Sequence, residues 1–269
     1  MISLTDTHCH LYFNHFNKDI NAVRDRAWDE GLCRILIPGI DLETSRKAVQ
    51  ISQSDPRLFA AVGFHPHDAS SWNEGSREEI RRLAQNPKVV AIGEIGLDYY
   101  RDRSPRPQQR KVFLELLDLA SELAMPVVIH NREATSDMFS IISDWAEHCH
   151  NLDPSSKKTL GVMHSFSGTK DIANQAIESG FFLGISGPVT YDDAKRLHFL
   201  VSSLPLDRLL LETDAPFLTP EPYRGQRNEP SYIPLIAEKI ARLKITDIKD
   251  IAKITTTNAN QLFAWGAQS

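Results

Sequence analysis

A single barrel of eight parallel strands wrapped by helices is the architecture this sequence predicts. Three observations carry it. Eight short apolar runs alternate with helical segments, and the 269 residues suit eight such units closed into one domain. No glycine-rich phosphate fingerprint follows the first run, which argues against an open dinucleotide-binding sheet.

The predicted strands are 2–10, 34–40, 59–66, 88–97, 126–132, 160–166, 181–187 and 208–214. Each is rich in Val, Ile, Leu or Phe and bounded by Gly, Pro or polar residues, as strands buried on both faces are. Between them the pattern predicts helices at 17–30, 42–54, 75–86, 105–125, 135–149, 169–179, 191–203 and 231–243. In 105–125, Phe113, Leu116, Leu117, Ala120, Leu123 and Ala124 recur at three- and four-residue steps behind Pro105 and Pro107. "TDIKDIAKI" and "TTTNANQLFAW" predict extra helical turns at the end. The whole of 1–269 is expected to be one domain.

Composition narrows the setting. A 41% hydrophobic, 24% charged chain has the apolar mass for one large core, and a formal charge of −5 argues against wholesale coating of nucleic acid. Cys9, Cys33 and Cys149 form no CxxC pair and are expected to be reduced thiols, which places the protein in the cytoplasm. Neither a signal-like leader nor a run of about 18 apolar residues is present, so no membrane partner is expected.

In a barrel of this kind, chemistry belongs at the carboxyl ends of the strands. His8 and His10 end the first predicted strand, His65 the third, Glu94 the fourth, His130 the fifth, His164 the sixth and Asp214 the eighth. Residues i and i+2 of a strand share a face, so His8 and His10 point inward together while Cys9 points away. The similar "HCH" at 148–150 falls at a predicted helix end, where i and i+2 diverge, and is expected on the surface. Imidazole suits borderline cations such as Zn, and carboxylate suits harder ones such as Mg or Mn. Six ligands exceed what one catalytic ion takes. The expected partition is His8, His10 and Asp214 on one ion, His130 and His164 on the other, and Glu94 bridging. Two such ions, about 3.5–4 Å apart, can share a hydroxide suited to hydrolysis.

The stretches "DTHCHL" (6–11), "VGFHPHD" (62–68), "IGEIGLDYY" (92–100), "PVVIHNR" (126–132), "HSFSG" (164–168) and "LLLETDAPFLTPEPYRGQRNEP" (209–230) resemble the TatD family of metal-dependent hydrolases, within the amidohydrolase-like superfamily. That resemblance implies a TIM-type barrel, two divalent ions and phosphoester hydrolysis, with deoxyribonuclease activity in relatives. It implies the ligands His8, His10, Glu94, His130, His164 and Asp214, and places His65 on substrate phosphate. Neighbouring barrel families bridge their ions with a modified lysine on the fourth strand. Here Glu94 stands there, and Lys88 lies at the strand's far end.

The expected activity is metal-dependent phosphodiester hydrolysis, as a 3'-5' exonuclease on single-stranded DNA, with Asp214 orienting the nucleophile or accepting its proton. Arg101, Arg103, Arg106, Arg132, Arg224 and Arg227 lie in the loops after strands, and Arg132 and Arg227 are taken as substrate contacts. Tyr99, Tyr100, Phe166, Phe217 and Tyr223 could stack on unpaired bases. Hydrolysis of a small-molecule ester or of an aminoacyl-tRNA ester is the alternative, and a non-catalytic barrel scaffold is a third. No obligate protein partner is expected.

Overall fold

A computed structural model describes residues 2–152 and 159–265. Its strands are β1 (Leu4–Asp6), β2 (Leu32–Pro38), β3 (Leu58–Val62), β4 (Val89–Asp98), β5 (Val127–Arg132), β6 (Gly161–Met163), β7 (Phe181–Ile185) and β8 (Leu209–Leu211). They form one parallel sheet in sequence order. The ends meet through the Thr7 N–H, which donates to Leu211 O at 3.0 Å, and a parallel bridge between Cys9 and Ala215. The sheet is a nearly closed (β/α)8 barrel.

The helices are α1 (Ile20–Asp29), α2 (Leu42–Ser52), α3 (Glu74–Ala84), α4 (Arg106–Glu122), α5 (Thr135–Leu152), α6 (Lys170–Glu178), α7 (Lys195–Ser203), α8 (Ile233–Lys244) and α9 (Ile248–Phe263). Their starts are written locally. Asp41 and Thr44 close a capping box on α2, Asn73 and Ser76 close one on α3, and Thr169 caps α6. Among the described residues, no helix is long and apolar enough to cross a membrane.

Strand alternation sorts the core into two layers. Leu36, Phe59, Val90, Val128, Val162, Phe182 and Leu210 form a cluster with Leu262, Phe263 and Trp265, from the end of α9 and just beyond it. The side chains inside the barrel are thus closed at the amino-terminal end by the final helix. This is the role of the last helical turns, and it leaves the opposite end for the site. Alternate residues such as Ile35, Ile37, Val127, Ile129, Leu209 and Leu211 pack outward in the larger cluster with the helices.

The outer layer also carries a measurable electrostatic tie. Glu79 of α3 accepts from Arg82 (2.8 Å through each carboxylate oxygen) and from Arg46 of α2 (2.8 Å). Arg82 first and Arg46 second hold its carboxyl down to about 2, against an ordinary 4.5. A depressed carboxylate contributes stability above its unfolded pKa and loses it as pH falls through the folded one. Glu79→Gln is therefore expected to cost about 0.5–1 kcal/mol at neutral pH, a surface-pair magnitude discounted for solvent screening. The gap to wild type should close between pH 4.5 and about 2, read from urea midpoints.

Candidate metal centre

His8 and His10 lie past the ladder of β1, in a tail held from both sides. Cys9 N–H donates to Leu36 O (3.0 Å), His10 N–H to Ala215 O (2.8 Å), and Asp214 N–H to His8 O (2.8 Å). The alternation therefore continues beyond the strand: Cys9 turns away, fully buried, and the two Nε2 atoms of His8 and His10 meet 3.1 Å apart. Asp6 ties the tails of β1 and β8 together from below. It accepts from His8 N–H (3.2 Å), Thr213 N–H (3.0 Å) and the Thr213 hydroxyl (2.6 Å). Burial raises its pKa to about 7 in spite of those donors.

Glu94 enters by a fault in the sheet. The register between β4 and β5 shifts between Gly93 and Ile95, so Glu94 is left out of that ladder and its N–H donates to Gly39 O at 2.8 Å. Its carboxylate then spans two groups. Oε2 lies 3.3 Å from His8 Nε2 and 3.8 Å from His10 Nε2. Oε1 lies 3.0 Å from His130 Nδ1 and 3.7 Å from His65 Nε2. Asp214, at a left-handed φ of 56°, places Oδ1 3.3 Å from His10 Nε2 and 3.8 Å from both His8 Nε2 and His164 Nε2. Short polar side chains such as Asp tolerate that backbone region.

Among the described residues, three sets of ligand atoms, each within 4.8 Å of one another, could hold a cation: His8, His10 and Glu94; His8, His164 and Asp214; His65, Glu94 and His130. The grouping differs from the expected partition at His164 and His65. The His164 ring stacks on His8 at 3.5 Å between centroids, which draws it toward Asp214, and His65 takes the place beside His130.

Where the far nitrogen of a ring has a partner, that partner decides which nitrogen is free, whereas His8 Nδ1 is buried without a hydrogen bond among the described residues. His10 Nδ1 lies 3.2 Å from Pro38 O and 2.7 Å from the Tyr12 hydroxyl. A carbonyl only accepts, so Nδ1 carries the proton and Nε2 keeps its lone pair. His130 Nε2 faces Asp98 Oδ2 at 3.1 Å, which leaves Nδ1 toward Glu94. His164 Nδ1 lies 3.0 Å from Glu212 Oε1, an ion-pair distance rather than an aligned hydrogen bond, with Nε2 toward Asp214. His65 is set the other way. Its Nδ1 accepts from His67 N–H (3.2 Å), so in the neutral ring Nε2 bears the proton and is a donor.

The electrostatics agree with cation binding. Burial opposes ionisation of Glu94, but His8, His130 and His65 hold its carboxyl well below the usual range. His164 is carried up to about 10 against its burial by Glu212, Asp214 and Glu94. Burial first, and His130 second, keeps His65 neutral, well below an ordinary imidazole. A carboxylate field that draws a proton to a buried ring also attracts a divalent ion, and the mixed imidazole and carboxylate donors suit Zn, Mn or Mg.

Asp98 and Glu212 are the residues that sequence reasoning missed. Asp98, buried on β4, holds His130 and His67 (3.0 Å) on one oxygen and the Tyr100 and Arg101 N–H groups on the other (3.1 and 2.8 Å). Glu212 is fully buried and accepts from Ser165 N–H at 2.5 Å. Gly184 of β7 makes room for it, since a methyl group there would collide with its carboxylate. Gly184→Ala is expected to turn Glu212 off His164 and lower metal affinity about 10- to 100-fold, measured by chelator competition.

The arginines divide. Arg132 is exposed and lies 4.0 Å over the Tyr100 ring. Arg227, expected on substrate, is engaged elsewhere: it donates to both oxygens of Asp19 (2.8 Å each) and to His15 O (2.7 Å). Its carboxylate partner lies on the segment leading into α1, so its charge is matched there and the pair ties the loop after β8 to that segment. Arg106 pairs with Asp102, and Arg224 lies 4.0 Å from both Asp193 and Glu221. In the "HCH" of α5, His148 is exposed while Cys149 is buried, so only its histidine edge meets the expectation of a surface site.

A (β/α)8 barrel whose mouth gathers imidazoles and carboxylates in this way is that of a metal-dependent hydrolase. A family model described as "TatD related DNase" matches residues 5–264. The chain is 42% identical over 260 residues to the "Uncharacterized metal-dependent hydrolase YabD" of Bacillus subtilis (strain 168), covering 97% of this chain and 98% of that one. It is 36% identical over 269 residues to the "3'-5' ssDNA/RNA exonuclease TatD" of Musicola paradisiaca (strain Ech703), covering 97% and 98%. The crystal structure of YJJV, a TatD homolog from Escherichia coli K12, superposes with a TM-score of 0.89 at 29% identity, over 97% and 98% of the two chains. The chain belongs to the TatD family of metal-dependent hydrolases.

Proposed function

We propose that the chain hydrolyses phosphodiester bonds of single-stranded nucleic acid, DNA foremost, from the 3' end. The ions would be two, held by His8, His10, Glu94, His130, His164 and Asp214. The observation that carries this reading is Glu94, whose two oxygens face two different histidine groups at 3.3 and 3.0 Å. Relatives at 36% identity named as 3'-5' ssDNA/RNA exonucleases support the substrate and the polarity.

Divalent ions at these residues would supply Lewis acidity toward phosphoryl oxygens and a water of lowered pKa. The chain's own groups do the rest. Asp214 is the least enclosed of the two carboxylates, with 14% side-chain exposure against 4% for Glu94, and is placed to orient water and accept its proton at Oδ1. His65 donates from Nε2 to a non-bridging phosphate oxygen, a role its neutral tautomer allows. Asp98 and Glu212 hold His130 and His164 in register. Three free thiols fit a reducing compartment, and we place the enzyme in the cytoplasm.

The test compares kcat/KM on an oligonucleotide, an aryl phosphodiester and an aryl carboxylic ester. The proposal expects the oligonucleotide to be preferred and to compete with the aryl phosphodiester. Preference for the carboxylic ester, untouched by added oligonucleotide, would move the assignment to small-molecule ester hydrolysis.

A further inference from the structure

We propose that Tyr100, with Arg101 and Arg132, forms a nucleotide subsite at the barrel mouth. The ring would take one unpaired base of a single strand, and the two guanidiniums would take the flanking phosphate. This deepens the nuclease reading and rests on it.

Tyr100 is 53% exposed although it lies only two residues past the buried strand β4. Arg132 lies 4.0 Å from the centroid of its ring and Arg101 5.6 Å. Among the described residues neither guanidinium lies within 4.0 Å of a carboxylate, although Asp102 and Glu133 adjoin them in sequence. Of the other arginines nearby, Arg106 pairs with Asp102 and Arg110 with Asp137 at 2.7 Å, while Arg103, among the described residues, is likewise beyond 4.0 Å of a carboxylate and adds to the positive charge of the loop. Two cations beside an exposed aromatic ring, each beyond 4.0 Å of a described carboxylate, are complementary to a polyanion that carries aromatic bases.

The patch is also fixed relative to the reacting centre. Tyr100 and Arg101 donate their N–H groups to Asp98 Oδ1, while Asp98 Oδ2 faces His130. Arg132 is two residues past His130 on β5, and it pairs in register with Asp98 itself. One carboxylate thus joins the platform to a candidate ligand. A nucleotide held there would keep its neighbour's phosphate at the mouth. Stacking on a tyrosine face discriminates weakly among bases, so the subsite would accept any sequence and favour unpaired strands, whose bases can leave the helix.

Tyr100→Ala, Tyr100→Phe and Arg132→Gln would be compared as holoenzymes on a short single-stranded DNA and on an aryl phosphodiester. The expected result is a KM for DNA raised roughly five- to hundredfold in Tyr100→Ala. Tyr100→Phe should stay near wild type, and both Tyr100 variants should stay within about twofold on the aryl substrate. Arg132→Gln should reduce the slope of log KM against log salt by about 0.7, one phosphate contact on a single strand. Unchanged DNA kinetics in Tyr100→Ala would overturn the subsite while leaving the nuclease reading intact. If neither substrate is cleaved, the nuclease reading fails first, and quenching of a 2-aminopurine oligonucleotide decides the platform. Quenching lost only in Tyr100→Ala would support it, and quenching equal in all variants would overturn it.

Discussion

Glu94→Gln is expected to lower hydrolysis by roughly 10⁴-fold or more, because groups that act as a unit fail together. The glutamine keeps the volume and removes the charge that faces His8 and His10 through one oxygen and His130 and His65 through the other. Neither histidine group would then share a counter-charge with the other. Elemental analysis of the purified variant should show less bound metal, while circular dichroism should still show the barrel. Activity within tenfold of wild type would remove Glu94 from the bridging role.

Asp98→Asn carries the second large effect. Asp98 Oδ1 accepts from two backbone N–H groups, and Oδ2 from the His67 and His130 rings. An amide offers one acceptor and one donor, so whichever way it turns, one pair of donors meets an N–H₂. Burial works against the charge of Asp98, yet His130, the Arg101 N–H and His67 hold it well below the usual carboxylate range. The carboxylate is thus the form the site is built around. The variant is expected to lose about 10- to 100-fold in kcat/KM through misplacement of His130. It should also lose about 1–3 kcal/mol of stability from donors left unmet. Rate and melting temperature measured together check both. A variant that melts lower but turns over normally would make Asp98 structural only.

Much of this was legible in the sequence. Strands buried on both faces read as apolar runs, so all eight were found, and six ligand candidates were placed at their ends. At the mouth the observed strands stop short of the predicted ends, except β4 and β5. His8, His10, His164 and Asp214 lie beyond their ladders, in the tails and turns that follow the strands and bond to neighbours singly. Partition among the ligands was not legible, because the stacking of His164 on His8 depends on ring rotation rather than spacing.

Asp98 and Glu212 carry a signal in the sequence, their nearness to ligand candidates. Glu212 stands two residues before Asp214. Asp98 stands four after Glu94 on one strand. An acid beside a ligand motif can orient a ring without touching metal, and spacing alone does not separate the two roles. The partner of Arg227 was hidden for the opposite reason. A loop arginine near the last ligand resembles a phosphate contact until Asp19, far away in sequence, is seen to hold it.

The central claim is that this mouth cleaves phosphodiesters with metal held at Glu94 and its histidines. The most direct measurement is hydrolysis of a 5'-end-labelled single-stranded DNA after chelation and re-addition of Mg, Mn or Zn, with His130→Ala beside wild type. The account predicts a ladder shortening from the 3' end, abolished by chelator, restored by metal and missing in the variant. Intact DNA with every metal, or equal cleavage by His130→Ala, would contradict it.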